Sequence, residues 1–399
     1  MNVGDAETAA EAEITLYELI LRKGQRELGD EHLARAWQLV ADSPPSRSKT
    51  SVLVSIALSH MLAERSDQAF ETGRRALEMA ELLGLDELRA AALNIAGVSR
   101  TQLGDRSGVE DIDRAAGIAL KANAPYEVAR AYNNLAAVYS TWGEMGAARQ
   151  AQAECIRVSE RFGQAVWRRW QRPGEVSEAY SRGDWGEASR IIEDFLAEVD
   201  RGLAHYEAGG VLALRALMRL GRGDVDGAVA DAERSVELAR PAKDPQIVYS
   251  SLAASSYILC AAGKHQASAA LAEECVAALQ AGLPFGGALR GLPHVAWTLS
   301  LLGRGDELVA ALENAPESKW VDAARAFVAG DLRLSANLCA QMDARPEEAY
   351  ARLRAAESLA AEGRRVEADE QLHAALAFYR SVGATRYIRE GEALLAASA

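Results

Sequence analysis

Apolar residues recur at three- and four-residue steps along most of the chain, and the runs stop at regular intervals. Between Ala129 and Phe162, Tyr132, Leu135, Ala136 and Tyr139 stand at i, i+3, i+4 and i+7, which places them on one helical face. Gly143 then ends the run, since glycine enters the left-handed region after a helix without a Cβ penalty. Glu144 opens the next helix, where a carboxylate suits the positive end of the dipole. The same turn recurs at Gly104, Gly143, Gly183, Gly223, Gly263 and Gly303, in steps of 39 or 40 residues. Glu64 fills the slot 40 residues before Gly104, and the step shortens to 27 at Gly330 and 33 at Gly363. No alternating strand pattern interrupts the series. A fixed period of this length in helical sequence predicts an all-α solenoid.

Within each unit the offsets fit tetratricopeptide packing. Ala148 is small where the two helices of a pair must approach, and Ala57, Ala69 and Ala76 fall at matching offsets in the block from 50. Leu93, Ala96 and Gly97, Leu212, Ala216 and Ala228, and Ala355, Ala356, Leu359, Ala368 and Ala375 continue the pattern. The unit exceeds the usual tetratricopeptide length of about 34 residues, with the surplus in the second helix and the inter-repeat loop. The expectation is an α-solenoid of about nine tetratricopeptide-like helix pairs with a capping helix near Thr385 to Ala397. Residues 1–48 read as N-terminal helices leading into the array, set off by Ser43-Pro44-Pro45-Ser46. Residues 49–315 read as regular repeats, and 316–399 as shorter C-terminal repeats with the cap. Pro173-Gly174 is expected to break or shorten its helix. The stretch from Gly282 to Pro293, which includes Pro284, reads as a hinge.

Charge narrows the partners. Lys and Arg number 44 against 57 Asp and Glu, a net charge of −13 over 399 residues. Such a chain repels phosphate backbones and anionic lipid, so no nucleic acid and no membrane are expected as partners. The uncharged run from Pro245 to Gly263 approaches spanning length. It holds Gln246 and four serines and keeps the repeat register, so it reads as a buried array helix. The first residues lack the features of a signal peptide, and Cys155, Cys260, Cys275 and Cys339 form no C-x-x-C pair. A cytoplasmic protein with buried free thiols, acting as a monomer, is the expectation.

Catalytic motifs are missing from the sequence. No two histidines stand at i, i+3 or i, i+4, and neither G-x-S-x-G nor a phosphate-binding G-x-x-x-x-G-K-[ST] occurs. The expectation is therefore no catalytic role, no cofactor and no metal. Candidate ligand-binding residues lie on the inner helices instead. Asn94, Arg130, Asn133 and Asn134 occupy groove-facing positions, where asparagine can bond a peptide backbone and arginine can clamp a carboxylate. Hydrogen bonding between repeats is the other use of these asparagines. Arg215 and Arg219 share one face at packing positions, so they either pair with internal acids such as Asp184 or Glu187 or contact an anionic ligand. Trp170, in Trp167-Arg168-Arg169-Trp170-Gln171-Arg172, adds an aromatic surface among cations. Two functions follow. One is capture of a protein or peptide segment on the concave face; the other is sensing of a small metabolite, with Arg130, Arg215 and Arg219 as anchors.

Parts of the chain resemble a known group. Phe378-Tyr379-Arg380-Ser381-Val382-Gly383-Ala384-Thr385, with Glu347-Glu348-Ala349-Tyr350-Ala351-Arg352-Leu353-Arg354 before it, looks like the C-terminal arm of large bacterial signalling ATPases. Those proteins link class III adenylate/guanylate cyclase or transcription-activator domains to a regulatory ATPase and a tetratricopeptide-like arm. Leu28-Gly29-Asp30 and Arg222-Gly223-Asp224-Val225-Asp226-Gly227-Ala228 are similar to stretches of the same arm. Gly263-Lys264-His265 is only a fragment of a phosphate loop, so the ATPase core lies outside this resemblance. What it implies is the sensor or interaction arm of a signalling or transcription-regulatory system, with a regulatory ATPase or cyclase as a possible partner.

Overall fold

The computed structural model describes residues 3–282 and 286–398. These residues form 21 α-helices. The first pairs are α1 (Val3–Leu21) with α2 (Arg26–Val40), α3 (Arg47–Leu62) with α4 (Ser66–Leu83), and α5 (Asp86–Gln102) with α6 (Gly108–Lys121). Next come α7 (Pro125–Trp142) with α8 (Met145–Arg161), α9 (Ala165–Arg182) with α10 (Trp185–Asp200), and α11 (Ala208–Gly221) with α12 (Val225–Ala239). Then follow α13 (Pro245–Ala261) with α14 (His265–Ala281), α15 (Leu292–Leu301) with α16 (Gly305–Ala311), and α17 (Lys319–Val328) with α18 (Leu332–Gln341). The series ends with α19 (Arg345–Ala361) and α20 (Arg365–Val382), and α21 (Thr385–Ser398) closes it. The fold is an all-α repeat solenoid.

The turns form where the sequence places them. Gly104, Gly143, Gly183, Gly223, Gly263, Gly303, Gly330 and Gly363 all have φ between 69° and 91°, and Glu64 takes the same conformation at φ 55°. In three of these turns the next residue is an aspartate that caps the following helix: Asp184 accepts from the Glu187 N–H, Asp224 from Gly227 and Asp331 from Leu334. Each Gly-Asp pair thus ends one helix and satisfies an orphan N–H of the next.

Pro173 does not break its helix. It lies inside α9, which starts at Ala165 and runs unbroken to Arg182. A proline inside a helix gives up its own N–H bond and crowds the carbonyl four residues earlier, and burial of Pro173 in the array holds α9 through that strain. The neighbouring Gly174 packs against Gln152 of α8, where a Cβ would lie 2.4 Å from the movable Gln152 Nε2. The uncharged run becomes α13, with Tyr249 and every residue from Ser251 to Cys260 buried. Three of its four serines bond internally: Ser250 donates to the Gln246 carbonyl at 2.8 Å, Ser255 to the Ala232 carbonyl at 3.0 Å, and Ser256 bonds the Thr298 hydroxyl at 3.1 Å. No helix among the described residues is long and apolar enough to cross a membrane.

The curvature is tight enough for the C-terminal helices to reach back across the concave side. Trp320 of α17 donates to the Ser140 carbonyl at 2.9 Å, and Ser318 donates to the Thr141 carbonyl at 2.7 Å. Phe378 of α20 sits over Gly183 and edge-on to Trp185. Thr385 of α21 donates to the Arg222 carbonyl at 2.7 Å, and the hydroxyls of Tyr387 and Tyr257 meet at 2.8 Å. Successive turns of the α7, α9 and α11 pairs therefore seat successive C-terminal elements. One apolar cluster consequently runs from Met145 to Tyr387 without a break. At the opposite edge Lys243 pairs with Glu27 of α2. In the stretch read as a hinge, Pro284 lies outside the described residues. The following 3-10 turn, Gly286–Gly291, is packed inside, with Leu289 and Leu292 fully buried.

Candidate functional site

Reach-back by the C-terminal helices leaves a partly open central cavity of about 280 Å³. Inner helices α7, α9, α11 and α13 form one wall, and the Gly286–Gly291 turn with the first residues of α15, α17 and α19 forms the other. Val211, Ala213, Leu217, Ala254 and Ala288 supply a buried apolar lining. Asn133, Trp170, Ser177, Gln246 and Ser250 line it half-buried. Trp170 is held by ring contacts to His205 at 5.1 Å and Tyr206 at 5.3 Å. Asn133 is held by Gln171, whose amide donates to its Oδ1 at 3.1 Å.

The structure divides the residues singled out in the sequence. Asn133 and Trp170 line the cavity. Asn94 and Asn134 instead join adjacent repeats, with Asn134 Nδ2 donating to Asn94 Oδ1 at 3.1 Å and both side chains buried. Arg130 pairs with Glu127 one turn earlier on its own helix. Arg215 grips Asp231 through two bonds of 2.7 Å, and Arg219 reaches the same carboxylate at 2.9 Å. The acid facing this arginine pair is therefore Asp231 on α12, rather than Asp184 or Glu187.

The charged groups of the cavity come from elsewhere in the chain. Arg290 crosses from the 3-10 turn to α9, where Nη2 donates to Glu178 Oε1 at 2.8 Å and Nη1 to the Ser177 hydroxyl at 2.8 Å. Glu347, in the first turn of α19, is 5% exposed and its Oε2 has no hydrogen-bond partner. Burial pushes its carboxyl up to about 7, an effect the Arg290 charge partly offsets. His294 of α15 stands 3.9 Å from Glu347 and is 3% exposed, with its ring against the backbone of Gly291. Burial drives its pKa down to about 4, so the ring is neutral at pH 7. Glu207, at the start of α11, is likewise raised by burial to about 7 and lines the same cavity. None of these five was legible as a site residue. In sequence Glu347 is an ordinary first-turn acid of a helix, and Glu207 an ordinary cap position; only the curl of the array brings them together.

No protein-family model matches the chain, and no curated protein matches it. Among solved structures, a Rap protein complexed with Competence and Sporulation Factor aligns over 98% of this chain and 100% of its own, at 10% identity and a TM-score of 0.39. Yeast Tom70 aligns over 96% of each chain at 10% identity and a TM-score of 0.29. The TPR2AB domain of yeast Sti1, in a pHSP90 complex, aligns over 81% of this chain and 99% of its own at 14% identity and a TM-score of 0.25. Likeness this loose carries no argument about ligand or mechanism.

Proposed function

We propose that the protein is a non-catalytic interaction and sensor module that receives a segment of a partner protein in the central cavity. The observation that carries this reading is the lining itself. Half-buried amides and hydroxyls of Asn133, Gln246, Ser177 and Ser250 stand beside Trp170 and above an apolar interior. Amides so placed bond a peptide backbone, while the apolar interior takes a side chain. The wall arrangement supplies the relay. An occupant touches α7, α9 and α11 on one side and α15, α17 and α19 on the other, so it biases how tightly the superhelix closes. Resemblance of Phe378 to Thr385 to the arms of signalling ATPases supports placing this event in a signalling or transcription-regulatory system, with a regulatory ATPase or cyclase as the effector. The arginine-anchored metabolite pocket has less support, because Arg130, Arg215 and Arg219 each face an acid of their own helix pair.

The test is selection of random dodecapeptides on the immobilised protein, followed by calorimetric titration. Selected peptides are expected to bind wild type and to lose at least tenfold in affinity on Trp170→Ala and on Asn133→Ala. Peptides whose affinity is unchanged by both substitutions would overturn the reading.

A further inference from the structure

The charge balance of the cavity is uneven. Among the described residues its one lining arginine, Arg290, is engaged by Glu178. No cationic side chain among them is bonded to Glu347, and the neighbouring His294 is neutral. Glu347 retains an unbonded oxygen, although the residue is more than nine-tenths buried. Buried polar atoms left unsatisfied cost free energy, and they persist where something else completes them. What completes a buried carboxylate oxygen is a donor, and a positively charged donor does so most strongly. A neutral imidazole adds one further acceptor.

We infer that the cavity receives an ammonium or guanidinium group, carried by a Lys or Arg side chain of the bound segment, with Glu347 as counter-charge and His294 as an additional acceptor. This rests on the segment-binding reading and deepens it. A metal ion fits the site less well, because no three His, Cys, Asp or Glu side chains among the described residues converge as ligands. The apolar lining of Val211, Leu217 and Ala254 suits the methylene stem of such a side chain, whose charged head then reaches Glu347. The overall charge of −13 favours the approach of a basic segment.

The experiment uses the selected dodecapeptides, with each Lys replaced in turn by norleucine and each Arg by citrulline. Cadaverine and agmatine are titrated in parallel. At least one replacement is expected to cost tenfold or more in affinity on wild type and less than twofold on Glu347→Gln, whereas on Glu207→Gln the tenfold cost is expected to remain. The variants keep side-chain shape, and their thermal unfolding is recorded to confirm folding. If no replacement matters while binding still depends on Trp170, the cation site is refuted and segment binding stands. If cadaverine or agmatine binds and Glu347→Gln abolishes it, while no peptide binds, the cation site stands and the segment reading falls. If neither peptide nor amine binds, both are refuted.

Discussion

Trp320→Ala tests whether the C-terminal helices brace the early repeats. Trp320 is 2% exposed, and its indole N–H reaches the Ser140 carbonyl of α7 at 2.9 Å, 180 residues away in sequence. Truncating a buried tryptophan costs about 3–5 kcal/mol, of which the lost hydrogen bond supplies about 1 kcal/mol. In a purely linear stack this loss would stay within α17 and its neighbours, because each repeat would touch only the next. In the observed arrangement α7 shares it. At about 1.4 kcal/mol per decade, amides of α7 that exchange through this opening should speed up by about two to three decades. Hydrogen exchange read by mass spectrometry is the assay, comparing peptides from α7 and α9 with peptides from α1 to α4. The expected result is lost protection in α7 and α9 and none lost in α1 to α4. Loss confined to residues 286–341, with α7 unchanged, would refute the bracing argument.

Glu347→Gln should change stability in a pH-dependent way. The carboxyl lies at about 7 in the folded chain against 4.5 as the ordinary value. Between those values the native state holds the extra proton, so native stability falls as pH rises through this window, by about 3 kcal/mol. Glutamine lacks this loss, so the variant should match wild type near pH 4 and exceed it by about 3 kcal/mol at pH 8 in urea titrations; an equal difference at both pH values would contradict the argument. Arg215→Ala leaves the buried Asp231 with Arg219 alone and should cost about 2 kcal/mol by the same assay. Asn94→Ala and Asn134→Ala in a double-mutant cycle should show a coupling of about 1 kcal/mol, and zero coupling would remove the inter-repeat bond from consideration. Gly97→Ala should destabilise by about 2 kcal/mol, since its Cβ would meet the Gly108 carbonyl oxygen at 2.7 Å, whereas Gly117→Ala meets nothing within 4 Å and should stabilise by about 0.5–1 kcal/mol. Thermal melts of the two variants shifting in the same direction would contradict that contrast.

Helix boundaries, turn positions and repeat length were all legible in the sequence, because each is a local matter. A glycine every 40 residues, an aspartate after some of them and a three-to-four-residue apolar step need no distant partner to act. The groove-facing place of Asn133 on an inner helix follows from repeat register in the same way, whereas Trp170 stood out in sequence only by its arginine-rich surroundings. Pro173 shows where local reasoning fails: the proline signals a break, yet packing against α8 keeps α9 whole. The cavity depended on tertiary structure altogether. Its acids and histidine come from the starts of α11, α15 and α19, and they line one cavity because small rotations between repeats add up until α17 lies against α7. No residue pattern within one unit records that sum, so neither Glu347 nor Glu207 differs in sequence from a solvated helix-end acid.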